Sequence, residues 1–143
     1  MFRKILLAYD GSETARHALD KAISIKTMLD STILEVVHVA QLTNVVVGDA
    51  FITGAAVVQE ELQAAAEDVV DEVRHRISHL PLATATLLEG GAPAKVILEY
   101  ADNHRFDLII VGSRGLGTFK ELLLGSVSYD IVQHAKLPVL VVK

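Results

Sequence analysis

Apolar and polar positions along this chain fall into blocks whose period changes from one block to the next. Residues 4–9 (K-I-L-L-A-Y) form a short unbroken apolar run, the pattern of a strand covered on both faces. Asp10-Gly11-Ser12 breaks the run; Ser12 suits an N-cap and Glu13 the first turn of a helix. Ala15, Ala18, Leu19, Ala22 and Ile23 then recur at helical spacing, predicting an inward stripe that runs to about residue 29. Residues 33–40 (I-L-E-V-V-H-V-A) read as a second strand. Residues 41–57 have no clear period, although Val45, Val46, Val47, Phe51 and Ile52 are apolar; a stretch this long predicts a mobile or functional loop. A second helix is predicted over residues 58–79, with Leu62, Ala65, Val69, Val73 and Ile77 inward and Pro81 ending it. Residues 82–88 read as the most polar strand, with Thr84 and Thr86 on one side, which suits a sheet edge. Glu89-Gly90-Gly91-Ala92 predicts a turn, and Pro93 fits the first position of a third helix ending near residue 103. A fourth strand is predicted over residues 107–111. A last helix follows over 122–135, with Val127, Ile131 and Ala135 inward, and then a fifth strand opening at Pro138.

Five strands alternating with four helices, with no repeat and no break in composition, predict one α/β domain over residues 1–143. Right-handed crossovers then give a parallel sheet with helices on both faces. In such sheets ligands bind beyond the carboxyl ends of the strands, where strand order reverses. If the two most apolar strands, the first and fourth, are central neighbours, Asp10 and Gly112 meet there.

Composition narrows the classes. The 51% hydrophobic and 22% charged residues suit a globular chain, not a disordered one. No apolar run is long enough to span a bilayer and no leader pattern is seen, so a cytoplasmic location is expected. The absence of cysteine excludes disulfides and thiolate chemistry. A net charge of −5 without a basic stripe argues against nucleic acid as a partner.

Candidate chemistry concentrates in residues 111–128 (V-G-S-R-G-L-G-T-F-K-E-L-L-L-G-S-V-S), which carry Gly112, Gly115, Gly117 and Gly125. A strand running into glycines and then a helix start turns backbone N–H groups toward an anion, so the stretch reads as a phosphate cradle. Gly112 and Gly115 are expected to permit close approach and positive φ. It is not a Walker A loop, since Thr118 stands where lysine is needed, nor a dinucleotide fingerprint, since Lys120 stands where glycine is needed. Taken alone, Ser126 fits a plain N-cap and Asp10 a plain turn residue as well as a ligand contact. Arg114 fits a phosphate contact and a solvated side chain equally.

The spacing Gly112-x2-Gly115-x9-Gly125-Ser126 resembles the nucleotide-binding pattern of the universal stress protein family. The likeness extends to Asp10-Gly11-Ser12-Glu13, Val37-His38-Val39, Gly91-Ala92-Pro93, the run from Asp107 to Gly115 and the terminal P-V-L-V-V from Pro138. The resemblance implies strand order 3-2-1-4-5, an arrangement of the adenine nucleotide alpha hydrolase type, and a homodimer through the fifth strand. It also implies the ATP-binding branch of the family. Asp10, with Gly11 and Ser12, would lie near ribose, phosphates and a Mg²⁺ ion. The backbone of Val39 would meet adenine. Gly112, Arg114, Gly115, Gly125, Ser126, Val127 and Ser128 would line the phosphate and ribose sites. The function implied is a stress-response regulator that holds ATP and answers to a protein partner of unknown identity. Alternatives are a binder of AMP or a cyclic nucleotide, and a slow ATPase or autokinase. A flavin domain is disfavoured because, Tyr9 aside, no aromatic residues stand at the strand ends.

Other clusters read as structure. His75 and His79 stand at i, i+4, a spacing that can hold a metal, but among Arg74, Arg76 and Ser78 a solvated face is expected. His38, inside an apolar strand, is expected to be a satisfied structural histidine. Glu60, Glu61, Glu67, Asp68, Asp71 and Glu72 are expected on the exposed face of the second helix.

Overall fold

A computed structural model describes residues 1–41, 53–116 and 123–143. The elements are β1 (Lys4–Ala8), α1 (Glu13–Met28), β2 (Ile33–Gln41), α2 (Thr53–Ile77), β3 (Ala83–Gly90), α3 (Pro93–Asn103), β4 (Leu108–Gly112), α4 (Ser126–His134) and β5 (Val139–Val142). The strands form one parallel sheet in the order β3-β2-β1-β4-β5. This is the expected order, with β3 and β5 at the edges.

The alternation of side chains along β1 explains its unbroken apolarity. Ile5, Leu7 and Tyr9 point into a core shared with Ala15, Ala18, Leu19 and Ala22 of α1 and Val73 and Ile77 of α2. Leu6 and Ala8 point into a second core with Ala94, Ile97 and Ala101 of α3 and Ile131 of α4. A strand sandwiched in this way has no wet face, so it cannot alternate apolar with polar residues.

Five expectations shift. The helical part of residues 41–57 begins at Thr53, so α2 starts five residues before position 58; residues 42–52 lie outside the description. The inward face of α2 is Ala66, Val70, Val73 and Ile77, while Leu62 and Ala65 are exposed. β3 continues through Glu89 to Gly90, where a turn was expected, because Ala40 and Gln41 still offer a paired edge. α4 begins at Ser126, and Leu123 before it is exposed. In α1, Lys26 joins the inward stripe, with Ile23 only partly buried. The Lys26 stem is covered and its Nζ donates to the Asp30 carbonyl at 2.6 Å, the partner that a buried ammonium needs.

His38 is the satisfied residue expected, with Nδ1 2.8 Å from the Tyr9 carbonyl. His79 falls beyond the end of α2, so the His75/His79 pair does not share a helix face. Among the described residues no group of three or more metal-ligating side chains forms.

Candidate functional site

β1 and β4 are neighbours in register from Ile5↔Leu108 to Ala8↔Val111, so the segments leaving their carboxyl ends emerge side by side. After β1 the chain turns on itself. The Ser12 N–H donates to Asp10 Oδ1 at 2.9 Å, and Gly11 takes φ +79°, a conformation that side-chain-bearing residues rarely adopt. Ser12 then caps α1, its Oγ accepting from the Ala15 N–H. Asp10 is therefore a turn residue whose second oxygen, Oδ2, still faces the loop after β4.

That loop is fastened to α1 by hydroxyls. The Arg114 carbonyl accepts from Thr14 Oγ1 at 2.6 Å and from Ser12 Oγ at 3.2 Å, and the Arg114 N–H donates back to Thr14 Oγ1 at 3.2 Å. Thr14 is a tether that sequence reasoning missed, because nothing local in the sequence links it to a loop a hundred residues on. The Arg114 side chain is left in solvent.

The motif glycines do different things. A β-carbon on Gly112 would lie 2.6 Å from Thr14 Oγ1, 2.7 Å from the Thr14 carbonyl carbon and 2.8 Å from the Ala15 nitrogen. Gly112 is thus where α1 lies against the end of β4. A β-carbon on Gly115 would lie 2.9 Å from Asp10 Oδ2, and one on Gly125 would lie 3.3 Å from the Gly115 nitrogen. The expected positive φ is found at Gly11, not at Gly112 or Gly115, so the latter two owe their identity to close approach.

α4 opens beside this loop. Gly125 N–H donates to the Ser113 carbonyl at 2.7 Å, and buried Ser128 Oγ sits 2.9 Å from the same carbonyl and 3.0 Å from that of Gly125. The N-cap is Gly125, not Ser126, and it makes no side-chain cap bond. The first-turn N–H groups of Ser126, Val127 and Ser128 have no intrahelical acceptors, and they stand at the positive end of the helix dipole. Ser126 is exposed at the helix start, whereas the Val127 side chain turns into the core and leaves only its amide outward.

Val39 completes the rim from the far side of β1. The last rung between β1 and β2 runs from the Tyr9 N–H to the Val37 carbonyl at 2.9 Å. Strand alternation aims the N–H and C=O of Val39 the same way, past the end of β1, and His38 occupies the Tyr9 carbonyl that would otherwise continue the ladder. The Val39 peptide edge therefore opens on the same crevice, while its side chain joins the core beneath. Gly117 and Lys120 lie outside the described residues.

A sequence model described as the universal stress protein family matches residues 1–143. The chain belongs to the universal stress protein family. Its relatives include a universal stress protein of Thermus aquaticus, 38% identical over 143 residues and aligned along the whole of both chains. The YxiE universal stress protein of Bacillus subtilis is 32% identical over 151 residues, again covering both chains completely. Among solved structures, MJ0577 of Methanocaldococcus jannaschii superimposes with a TM-score of 0.85 at 29% identity, covering 100% of this chain and 96% of that one. Two more distant universal stress proteins share the fold with bound nucleotides. One is in complex with cAMP (24% identity, TM-score 0.72, 99% and 96% covered), and one from Arabidopsis thaliana has AMP bound (18%, 0.69, 99% and 91%).

Proposed function

We propose that this universal stress protein holds ATP at the junction of Asp10, Gly115 and the first turn of α4, and that it signals through occupancy of that site. The observation that carries this is the meeting of three elements at one point. Gly125 abuts Gly115, Gly115 abuts Asp10, and the uncapped amides of α4 open alongside. Phosphate oxygens fit those amides and the Ser126 hydroxyl; the Val39 peptide edge fits the donor–acceptor edge of adenine. Gly11, Ser12, Gly112 and Ser128 shape and fasten the cradle, and Arg114 reaches phosphate from solvent. Asp10 Oδ2 fits a magnesium ion held jointly by one carboxylate, phosphates and water, the habit of that cation. In this reading the protein works in the cytoplasm as a homodimer joined by β5, whose outer edge pairs with no strand among the described residues.

The test is mass spectrometry of nucleotide released from purified, denatured protein, followed by calorimetry with Mg·ATP. ATP release and a dissociation constant on the order of micromolar are expected. Release of AMP or cAMP, with ATP failing to bind, would replace ATP by the ligand classes seen in the more distant relatives. Release of FMN, or no binding of any nucleotide, would end the proposal.

A further inference from the structure

The overhanging half of α2 carries an apolar seam that no element among the described residues is seen to cover. α1 and α2 run side by side in fixed register, because Arg16 pairs with Glu72 and Asp20 with Arg76 at the same offset of 56 residues. At that offset Glu13, the first residue of α1, comes level with Val69; accordingly, a β-carbon on Gly11 would lie 4.0 Å from Val69 Cγ2. Everything in α2 before Val69 projects past the end of α1. At 1.5 Å per residue that is roughly 24 Å of helix.

The side of α2 that meets α1 lower down continues upward as Val58, Leu62, Ala65 and Val69. Their spacing of four, three and four residues is the a/d repeat of a helix-pairing seam. It is separate from the buried stripe of Ala66, Val70, Val73 and Ile77. Val57, Val58 and Leu62 are 54%, 50% and 47% exposed. Charge on this half has one sign. Residues 53–73 contain six carboxylates and no lysine or arginine. Glu61 and Asp68 fall at the flanking g positions of the seam, and among the described residues neither enters an ion pair.

We propose that this overhang is a docking surface for a basic amphipathic helix of another protein, laid against Val58, Leu62 and Ala65 in the line that α1 leaves unfilled. The partner's seam would be apolar and its flanks lysine or arginine, opposite Glu61 and Asp68. A second copy of this chain is disfavoured, since two such faces bring carboxylate against carboxylate.

The probe is a synthetic heptad peptide with leucine at its a and d positions and lysine at e and g, titrated into the nucleotide-free full chain. Backbone amide shifts are the readout, so the outcome does not depend on ATP binding. Shifts centred on residues 57–69 are expected. The affinity should fall at least about tenfold in Leu62→Gln, fall similarly for a glutamate-flanked peptide, and weaken with salt. The thermal midpoint of Leu62→Gln should match that of the parent. No binding, or equal binding of the two peptides, overturns the proposal. A lowered midpoint in Leu62→Gln assigns the seam to the chain's own residues 42–52, and self-association lost in that variant assigns it to a second copy. Shifts at Val58 and Leu62 produced by ATP alone assign it to the nucleotide base. Each of these three also overturns the proposal.

Discussion

Gly115 and Asp10 stand so close that a β-carbon on the glycine would come within 2.9 Å of the carboxylate oxygen Oδ2. The contact joins the exits of β1 and β4 at the point proposed for the phosphates. Gly115 is exposed, so a side chain there can swing the loop away without disturbing either core. Gly115→Val is therefore expected to fold normally by circular dichroism and thermal melt. Its ATP affinity should drop by two orders of magnitude or more, about 2.7 kcal/mol. Unchanged affinity by calorimetry in a folded variant would remove the cradle assignment.

Gly112 should behave in the opposite way. Two of the three atoms its β-carbon would strike belong to the α1 backbone, which cannot rotate aside. Gly112→Ala is expected to cost about 1–3 kcal/mol of stability, as overpacking of a core does. Adding Thr14→Ala should rescue little of it. Denaturant titration of the single and double variants measures this, and full rescue by Thr14→Ala would place the clash in the side chain alone.

Asp10 offers charge at the proposed site. Phosphoryl transfer needs a metal, positioned cations and a group that orients the nucleophile. Beside the carboxylate, the described part of the loop brings one cation, the solvent-exposed Arg114. Hydrolysis is expected far below the roughly 1–100 per second of kinases. Asp10→Asn keeps the shape and removes the charge, so it should weaken Mg·ATP more than metal-free ATP. A steady-state rate above about 1 per second that vanishes in Asp10→Asn would make the protein an enzyme.

The dimer proposed through β5 rests on an apolar edge. Val139 and Val141 turn into the core with α3 and α4, whereas Leu140 is 37% exposed. Leu140 is therefore the position to change without damaging the fold. An uncovered apolar edge invites pairing with another strand. Light scattering should show a dimer at micromolar concentration, and Leu140→Lys should shift it toward monomer. A parent protein that is monomeric under those conditions refutes the interface.

Tyr100 sets an alkaline limit. Its hydroxyl donates to Glu35 Oε1 at 2.7 Å, an oxygen that also accepts from Thr86 Oγ1 at 2.9 Å. Partial burial, then the hydrogen bond and charge of Glu35, push its pKa up from 10.0 to about 12. The folded state thus holds the phenol proton more tightly than the unfolded state does. The stability this contributes is complete below pH 10 and lost as pH rises toward about 12. In Tyr100→Phe the alkaline fall in the urea midpoint should be shallower, starting from a neutral-pH stability about 0.5–1.5 kcal/mol lower. Identical alkaline slopes in the two proteins would contradict this.

The strands and helices, the polar edge strand β3 and the stretch where the glycines gather were legible because they follow from local patterns: unbroken apolar runs, glycine turns and the cap at Ser12. The family likeness supplied the order of the strands. What stayed hidden depends on neighbours distant in sequence. α2 carries two apolar stripes, and periodicity alone cannot tell that Ala66 and Val70 meet the sheet while Leu62 and Ala65 outrun α1. Lys26 reads as solvated until the Asp30 carbonyl is seen to receive it. At the candidate site, the switch-point rule led to the expectation that Asp10 meets Gly112; it is Gly115 that abuts Asp10, while Gly112 lies against Thr14 and Ala15, and the tether from Thr14 to Arg114 was not anticipated. Ser126 is a residue type that suits an N-cap, yet Gly125 takes that position, its N–H donating to the Ser113 carbonyl, a partner distant in sequence.

The seat of Gly112 against α1 also bears on how such chains diverge. If the proposed site is correct, a lineage that abandoned a nucleotide there would be released from Gly115, whose neighbour is the tip of the Asp10 side chain, and from Gly125, whose neighbours are Arg114 and Gly115. It would remain bound to glycine at the end of β4, where the helix has no room to retreat. On that reading the first glycine of the three-glycine signature would be inherited with the architecture, and the second and third would record whether a descendant still keeps a ligand.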